Sequence, residues 1–339
     1  MKVIILGGTK FIGRAIANAF VNDGHSVTLF TRGLAKPTGV LHHNHIYGDR
    51  NNLDDLRRAS TQGWDVIVDN IGTDRRSMEL ALEAFRGQLQ KRSHFFFTSS
   101  ASVYALLNNQ TQPVKEPATD SSFLMRSEKP TSLLHSLGQN KLEAERLLTL
   151  SPNINFTIFR PHRVVGPGHL ENHAFWYMAR LLSGGPILLS DGGVRNLQFT
   201  FVNDLAKAYV LAAKITKSNR RTYNIAQRET TSLSDFINES ALNLGIKPDY
   251  VPAPSRWLGS LGGPFTKITS TFLDVSRATK ELGLKPSPFK NFIRITAQWF
   301  RDYPLHESDL KLLLSNRKTE IHLCRLLCFA RKLPLIPRG

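Results

Sequence analysis

The sequence predicts an α/β fold, a doubly wound parallel sheet followed by a smaller α/β lobe. Three observations carry this. Short apolar runs alternate with stretches of helical periodicity through the first half of the chain. The first run leads through a glycine-rich turn, LGGTKFIG at residues 6–13, straight into a helical pattern. After about residue 165 the rhythm loosens into smaller elements separated by loops containing Gly and Pro.

The elements follow in order. Lys2–Leu6 reads as a strand, and Phe11–Asn22 as a helix with Phe11, Ile12, Ala15, Ile16, Ala19 and Phe20 on one face. Val27–Phe30 is a second strand and His45–Tyr47 a short third; Leu53–Ala59 is a helix capped by Asn51 or Asn52. Val66–Val68, His94–Thr98 and Phe156–Phe159 are further short strands, separated by helical patterns at Ser77–Phe85 and Lys141–Leu150. Largely apolar strands joined by helices imply a parallel sheet covered on both faces, and right-handed crossovers make it a Rossmann arrangement. This domain is expected over residues 1–164.

A smaller, intimately packed lobe is expected over residues 165–304. Its helices are read at Ala174–Leu182, Asn203–Ala213, Ser234–Leu244 and Asn291–Trp299, its strands at Pro186–Leu189 and Leu197–Phe201. Residues 305–339 form a basic extension with seven Lys/Arg against three Asp/Glu. Within it Ile321, Cys324, Leu327 and Cys328 share a helical face, which suits packing on the protein itself or a partner better than a membrane surface.

Composition bounds the rest. A chain of 339 residues with 41% hydrophobic and 21% charged residues can bury a real core. The opening MKVIILGG is too short an apolar run for a signal peptide, and no window approaches a membrane span, so a soluble cytoplasmic protein is expected. Cys324 and Cys328 are four residues apart on a helical pattern, where a disulfide would distort the helix; reduced thiols are expected. The net charge of +17 invites polyanionic partners such as nucleotides or RNA.

The glycine-rich turn has the context a phosphate loop needs, a strand before it and a helix after it. Gly7 permits the tight turn and Gly13 lets helix and strand approach; Gly8, Thr9, Lys10, Phe11 and Ile12 complete the loop and the helix N-terminus that would face a pyrophosphate. Where NAD-selective sites place an acid after the second strand, this chain reads TLFTRG, with Arg32 and no carboxylate. Lys10 and Arg32 would attract the extra phosphate of NADP, so NADP is expected in preference to NAD.

These residues resemble the extended short-chain dehydrogenase/reductase superfamily, of the NAD-dependent epimerase/dehydratase kind, over roughly residues 1 to 304. GGTKFIG resembles its phosphate loop, with Lys10 in place of the middle glycine. GDRNNLDDL resembles the segment whose Asp, here Asp49, contacts adenine, and DNIG at 69–72, with Asn70, resembles the stretch lining the cofactor. FTSSASVY at 97–104 resembles the active-site strand, which puts Ser100 at the catalytic Ser/Thr position. FRPHRVVGPG at 159–168, FTFVNDLAKAYVLA at 199–212, YNIA at 223–226 and DVSRATKELGLKP at 274–286 resemble later landmarks in the same order. Within the superfamily the chain resembles the atypical group that includes the chloroplast stem-loop RNA-binding proteins, which also show GGTRFIG, LFTRG and GDR. The resemblance implies an oxidoreductase or epimerase/dehydratase-like enzyme on a small anionic or nucleotide-linked substrate, with a homodimer as one assembly. An RNA-binding protein on the same scaffold is the alternative.

One departure bears on chemistry. The superfamily uses Tyr and Lys at Y-x-x-x-K, the phenol passing a proton while the lysine lowers its pKa and binds ribose. Here the stretch is LGQNKLEAE, so Lys141 fits the lysine and Leu137 stands at the tyrosine position. No tyrosine lies between Tyr104 and Tyr177, and His135, two residues before Leu137, is the nearby imidazole. Ser100 and Lys141 remain as catalytic candidates, and Lys141 also as a cofactor ligand.

Smaller signals are weighed beside these. HHNH at 42–45 lacks a nearby acidic or thiol partner, and no metal is expected. Arg160, His162 and Arg163 follow the sixth strand and could meet a substrate phosphate or pair internally. Family analogy offers Arg195 and Arg228 as partners of a nucleotide diphosphate, and Asp204 is read as a helix cap.

Overall fold

The computed structural model describes residues 1–106, 112–116, 133–168, 173–266, 271–303 and 307–332. Its main elements run, through the first half, β1 (Lys2–Leu6), α1 (Phe11–Asn22), β2 (Ser26–Thr31), β3 (Asn44–Tyr47), α2 (Leu53–Ser60), β4 (Val66–Asp69), α3 (Arg75–Ala84), β5 (His94–Thr98), α4 (Leu133–Leu150) and β6 (Asn155–Pro161). They continue with α5 (His173–Leu182), β7 (Ile187–Ser190), α6 (Val202–Ala213), β8 (Arg221–Ile225), α7 (Leu233–Leu244), β9 (Tyr250–Ala253), α8 (Ser276–Leu282), α9 (Phe289–Asp302), α10 (Glu307–Leu313) and α11 (Arg317–Lys332).

Seven strands form one sheet in the order β8-β6-β5-β4-β1-β2-β3, every pairing parallel. The chain starts at the centre, runs out to β3, then returns to build the other half. That reversal makes a crevice at the carboxyl ends of β1 and β4, where such sheets bind ligands. Each strand alternates its side chains between two apolar layers. Val3, Ile5 and Val68 face the layer of α1 and α6; Ile4, Leu6 and Ile67 face the layer of α2, α3 and α4.

The chain divides into two compact units. The first comprises 1–164, 198–228 and 271–287; the second comprises 165–197, 229–270 and 288–339. The first break falls after residue 164, but the units are not the continuous stretches expected. Residues 198–228 return to the first unit because β8 extends the sheet beside β6 and α6 packs on α1. Nor is the tail a separate extension: α10 and α11 belong to the second unit. There Cys324 joins Leu188, Val251, Ala253 and Leu258 in one apolar cluster. Arg180 of α5 and Glu320 of α11 form a buried ion pair of 2.8 Å, and Arg180 also donates to the Leu313 carbonyl at 2.6 Å. Cys324 is buried, Cys328 is exposed, and both are free thiols. No helix among the described residues is long and apolar enough to cross a membrane.

Candidate active site

The glycine turn is built as its spacing requires. Gly7 has φ +82°, a region that favours glycine. A Cβ on Gly13 would lie 1.9 Å from the Gly7 carbonyl oxygen, so α1 starts against the turn only because residue 13 has no side chain. No side chain caps α1, and its first turn carries no acid. Its positive dipole end is thus left uncompensated by the protein, which suits an anion such as a pyrophosphate. Asn70, just past β4, donates to the Gly7 carbonyl at 3.3 Å and accepts from the Thr98 hydroxyl at 3.1 Å, tying the turn to β5.

Around this corner the expected ligands spread out. Lys10 and Arg32 are both exposed, on loops following the neighbouring strands β1 and β2. Asp49 follows β3, where one carboxylate oxygen accepts from the Asn51 amide at 2.8 Å in a local turn. Beside it Arg50 is buried and ion-paired with Asp69, the last residue of β4. Asp69 accepts from the Gly72 amide at 2.7 Å, so it also shapes the DNIG turn.

Lys141 closes the site. Its ammonium donates to the carbonyls of Gly72 (2.5 Å) and Thr98 (2.7 Å), which joins α4 to the ends of β4 and β5. It is only 8% exposed, and burial pulls its pKa down to about 8 against the raising effect of Asp69 and Glu145. Ser100 lies two residues past Thr98 and accepts from the Ser102 amide at 3.1 Å. Gly138 permits this arrangement: a Cβ there would fall 2.3 Å from the Ser102 carbonyl oxygen, so the helix lies directly on the Ser100–Ser102 turn.

Leu137 and Lys141 sit one turn apart on α4 and share a face; Leu137 is 39% exposed. His135 lies about 200° round the helix from Leu137 and so does not share that face. The phenols near β5 are engaged. Tyr104 donates to the Asn224 side chain at 2.6 Å and receives Arg160 at 2.9 Å, while Tyr209 is 2.5 Å from the Thr98 hydroxyl.

A buried polar network runs behind the site, and sequence reasoning missed it. Glu145, one turn beyond Lys141, is ion-paired with Arg160 and accepts from the Ser99 hydroxyl. Of the two readings left open for Arg160, internal pairing is the one observed. His162 is also internal: its amide donates to the Thr200 hydroxyl at 2.8 Å, and burial, with Arg163 beside it, pulls its imidazole well below the ordinary range. A signal was available. Glu145 repeats the Lys141 position at i+4, and a carboxylate on a helix face that enters the core must find a cation.

Other expectations resolve locally. Asp204 does not cap α6 through its own first turn; its carboxylate accepts from the Ser287 amide and hydroxyl, both at 2.7 Å. His45 bonds the Thr31 hydroxyl at 2.8 Å and His43 the Leu41 carbonyl at 2.8 Å. Among the described residues no group of three or more His, Cys, Asp or Glu could hold a metal ion. Arg195 falls in the second unit and Arg228 in the first.

A model of the NAD dependent epimerase/dehydratase family matches residues 3–226. The chloroplast stem-loop binding protein of 41 kDa b from Arabidopsis thaliana is 30% identical over 304 residues, 84% of this chain and 75% of the relative. The UDP-N-acetyl-alpha-D-glucosaminuronate decarboxylase of Bacillus cytotoxicus is 23% identical over 328 residues, 89% of this chain and 98% of the relative. Among solved structures, a UDP-glucose 4-epimerase shares 18% identity with a TM-score of 0.71, covering 90% of this chain and 98% of its own. A UDP-glucuronic acid 4-epimerase from Bacillus cereus, in complex with UDP-glucuronic acid and NAD, shares 20% identity with a TM-score of 0.69, covering 89% and 99%. At such identities the structures speak for the fold alone. The coenzyme in that complex is NAD, so the expected preference for NADP draws no support from it. With the family model matching well over half its length, the chain belongs to the NAD-dependent epimerase/dehydratase family.

Proposed function

We propose that the chain binds a nicotinamide dinucleotide at the β1–α1 turn and acts as an oxidoreductase or epimerase-like enzyme on a nucleotide-linked or otherwise anionic small substrate. The observation that carries this is the intact cradle: Gly7 at positive φ, Gly13 against the turn, an uncapped α1, and Lys141 bonded to the Thr98 carbonyl, two residues before Ser100. The UDP-sugar substrates named for related proteins support the substrate class. The coenzyme, when bound, supplies a hydride acceptor and donor. Of the chain's own residues, Ser100 polarises a substrate carbonyl through its hydroxyl, and Lys141 holds the nicotinamide ribose. Leu137 stands where the family's phenol would be and has no proton to give. Losing a positioned acid typically costs about 10²–10⁴-fold in rate, so turnover is expected to be slow.

Lys10 and Arg32 bear on the choice of coenzyme. The absence of an acid after β2 leaves NAD without its usual ribose partner, while the solved relative named above holds NAD. Calorimetric titration with both coenzymes tests the reading, and single-turnover hydride transfer with UDP-glucose and UDP-glucuronate tests the chemistry. Uptake of at least one coenzyme is expected, and Lys10→Glu with Arg32→Glu should weaken NADP more than NAD. Leu137→Tyr should speed hydride transfer. Absence of uptake of either coenzyme overturns the reading.

A second reading has its own observation. A relative at 30% identity is named a stem-loop binding protein, and this chain carries a net charge of +17. RNA affinity that falls steeply with salt, without hydride transfer, would favour it.

A further inference from the structure

We infer that the outer edge of the sheet carries a base-stacking surface for single-stranded nucleic acid, built on His45 and Tyr47. The inference rests on the RNA-binding reading and gives it a location. β3 is the last strand of the sheet, with no strand beyond it among the described residues. Residues 43, 45 and 47 alternate with 44 and 46, so they fall on one face of this strand. Ile46, of opposite parity, turns into the core. On the other face the rings form a column. The centroids of His43 and His45 are 6.3 Å apart with their planes tilted by 58°, and His45 and Tyr47 stack at 4.2 Å with 26° between their planes.

Tyr47 ends the column and remains 63% exposed. Here the loop after β2 meets the ring through Gly33, at φ +76°, where a Cβ would fall 2.8 Å from the ring carbon Cδ1. Backbone meets the ring on this side, His45 stacks on it, and the residue as a whole stays exposed. The hydrogen bond between the Thr31 hydroxyl and His45 Nε2, 2.8 Å, fixes the second ring of the column. Burial, then His43, lowers the His45 pKa, which keeps that imidazole neutral and suited to stacking.

Both signs of charge lie near Tyr47: Asp49 is two residues on and Asp55 pairs with Arg58, while the acid-free stretch before it supplies cations. No Asp or Glu occurs between Asp23 and Asp49, a stretch that includes exposed Arg32, Lys36 and His42. Arg58, 60% exposed and paired with Asp55, donates to the Tyr47 carbonyl at 2.9 Å. A single strand offers phosphates to such cations and unstacked bases to the Tyr47 ring. In a duplex the bases are already stacked on each other and cannot reach it.

The test uses the full chain and a labelled twelve-nucleotide oligouridylate, with a blunt RNA duplex as comparison, followed by fluorescence anisotropy at about 50 and 200 mM salt. The single strand should bind more tightly than the duplex. Tyr47→Ala should weaken it about tenfold, the loss of one base–ring stack, while Tyr47→Phe should bind as wild type. Tyr47→Leu keeps apolar bulk without a π face and should weaken binding like alanine, which covers an alanine variant that melts early. If the wild type binds the oligonucleotide and all three variants bind it equally, this surface is wrong while the RNA reading stands. If the wild type binds neither RNA, both fail.

Discussion

Lys141 shows how one residue can link helix and sheet and still serve a ligand. Its ammonium is held by two backbone carbonyls rather than by a carboxylate, and burial brings its pKa to about 8. Lys141→Met should therefore weaken coenzyme uptake in calorimetry by at least about tenfold, the size of one charge-assisted contact. An unchanged affinity would mean that the lysine serves the fold alone. His94 offers a pH test of the packing. Burial draws its imidazole down to about 4, whereas an unfolded histidine titrates near 6.5. The unfolded chain thus takes up a proton first as pH falls. Stability from this group is complete above about pH 6.5 and is lost through the window down to about 4, by up to about 3 kcal/mol. Urea unfolding at pH 7 and 4.5 should show a smaller loss in His94→Asn than in the wild type. An equal loss would assign the acid sensitivity to other groups.

At the scale of elements, the β1–α1 turn is the most constrained. Gly13→Ala forces a methyl into the Gly7 carbonyl, so either the helix shifts or the turn opens. A cost of about 1–3 kcal/mol in thermal unfolding is expected, together with loss of coenzyme uptake. A variant that melts and binds like wild type would remove the geometric basis of the cradle. This element was also the most legible. β1 and α1 run over Lys2–Leu6 and Phe11–Asn22, as their periodicity implies, because each is a clean local pattern bounded by the glycine turn. α4 was less so. Its pattern suggests a start at Lys141, yet the described helix already runs through Leu133–Leu150, since Gly138 and the mixed residues before Lys141 hide the periodicity. β8 was missed as a strand because Arg221–Ile225 mixes polar and apolar residues, and its place depends on pairing with β6, over sixty residues away in sequence. The same distance rule applies within the site. Gly7, Gly13 and Lys141 could be read from motifs, but the Glu145–Arg160 pair joins two elements and has no local signature.

At the scale of the molecule, the chain crosses between its two compact units several times, and its last helices are built into the second. Glu320, fully buried, receives both Arg180 and Arg317, at 2.8 and 3.0 Å. Glu320→Ala would strand two buried guanidinium groups, at a cost of about 3–5 kcal/mol, read as a lowered urea midpoint. A midpoint within error of wild type would mean that α11 is only loosely attached. The sheet as a whole turns at its centre to form a crevice whose glycine turn, uncapped helix and buried lysine suit a dinucleotide. Calorimetric titration of the full chain with NAD and NADP, each at ordinary ionic strength, tests this most directly. Saturable uptake of at least one, lost in Gly13→Ala, is the predicted result, and the absence of heat from both would contradict the account.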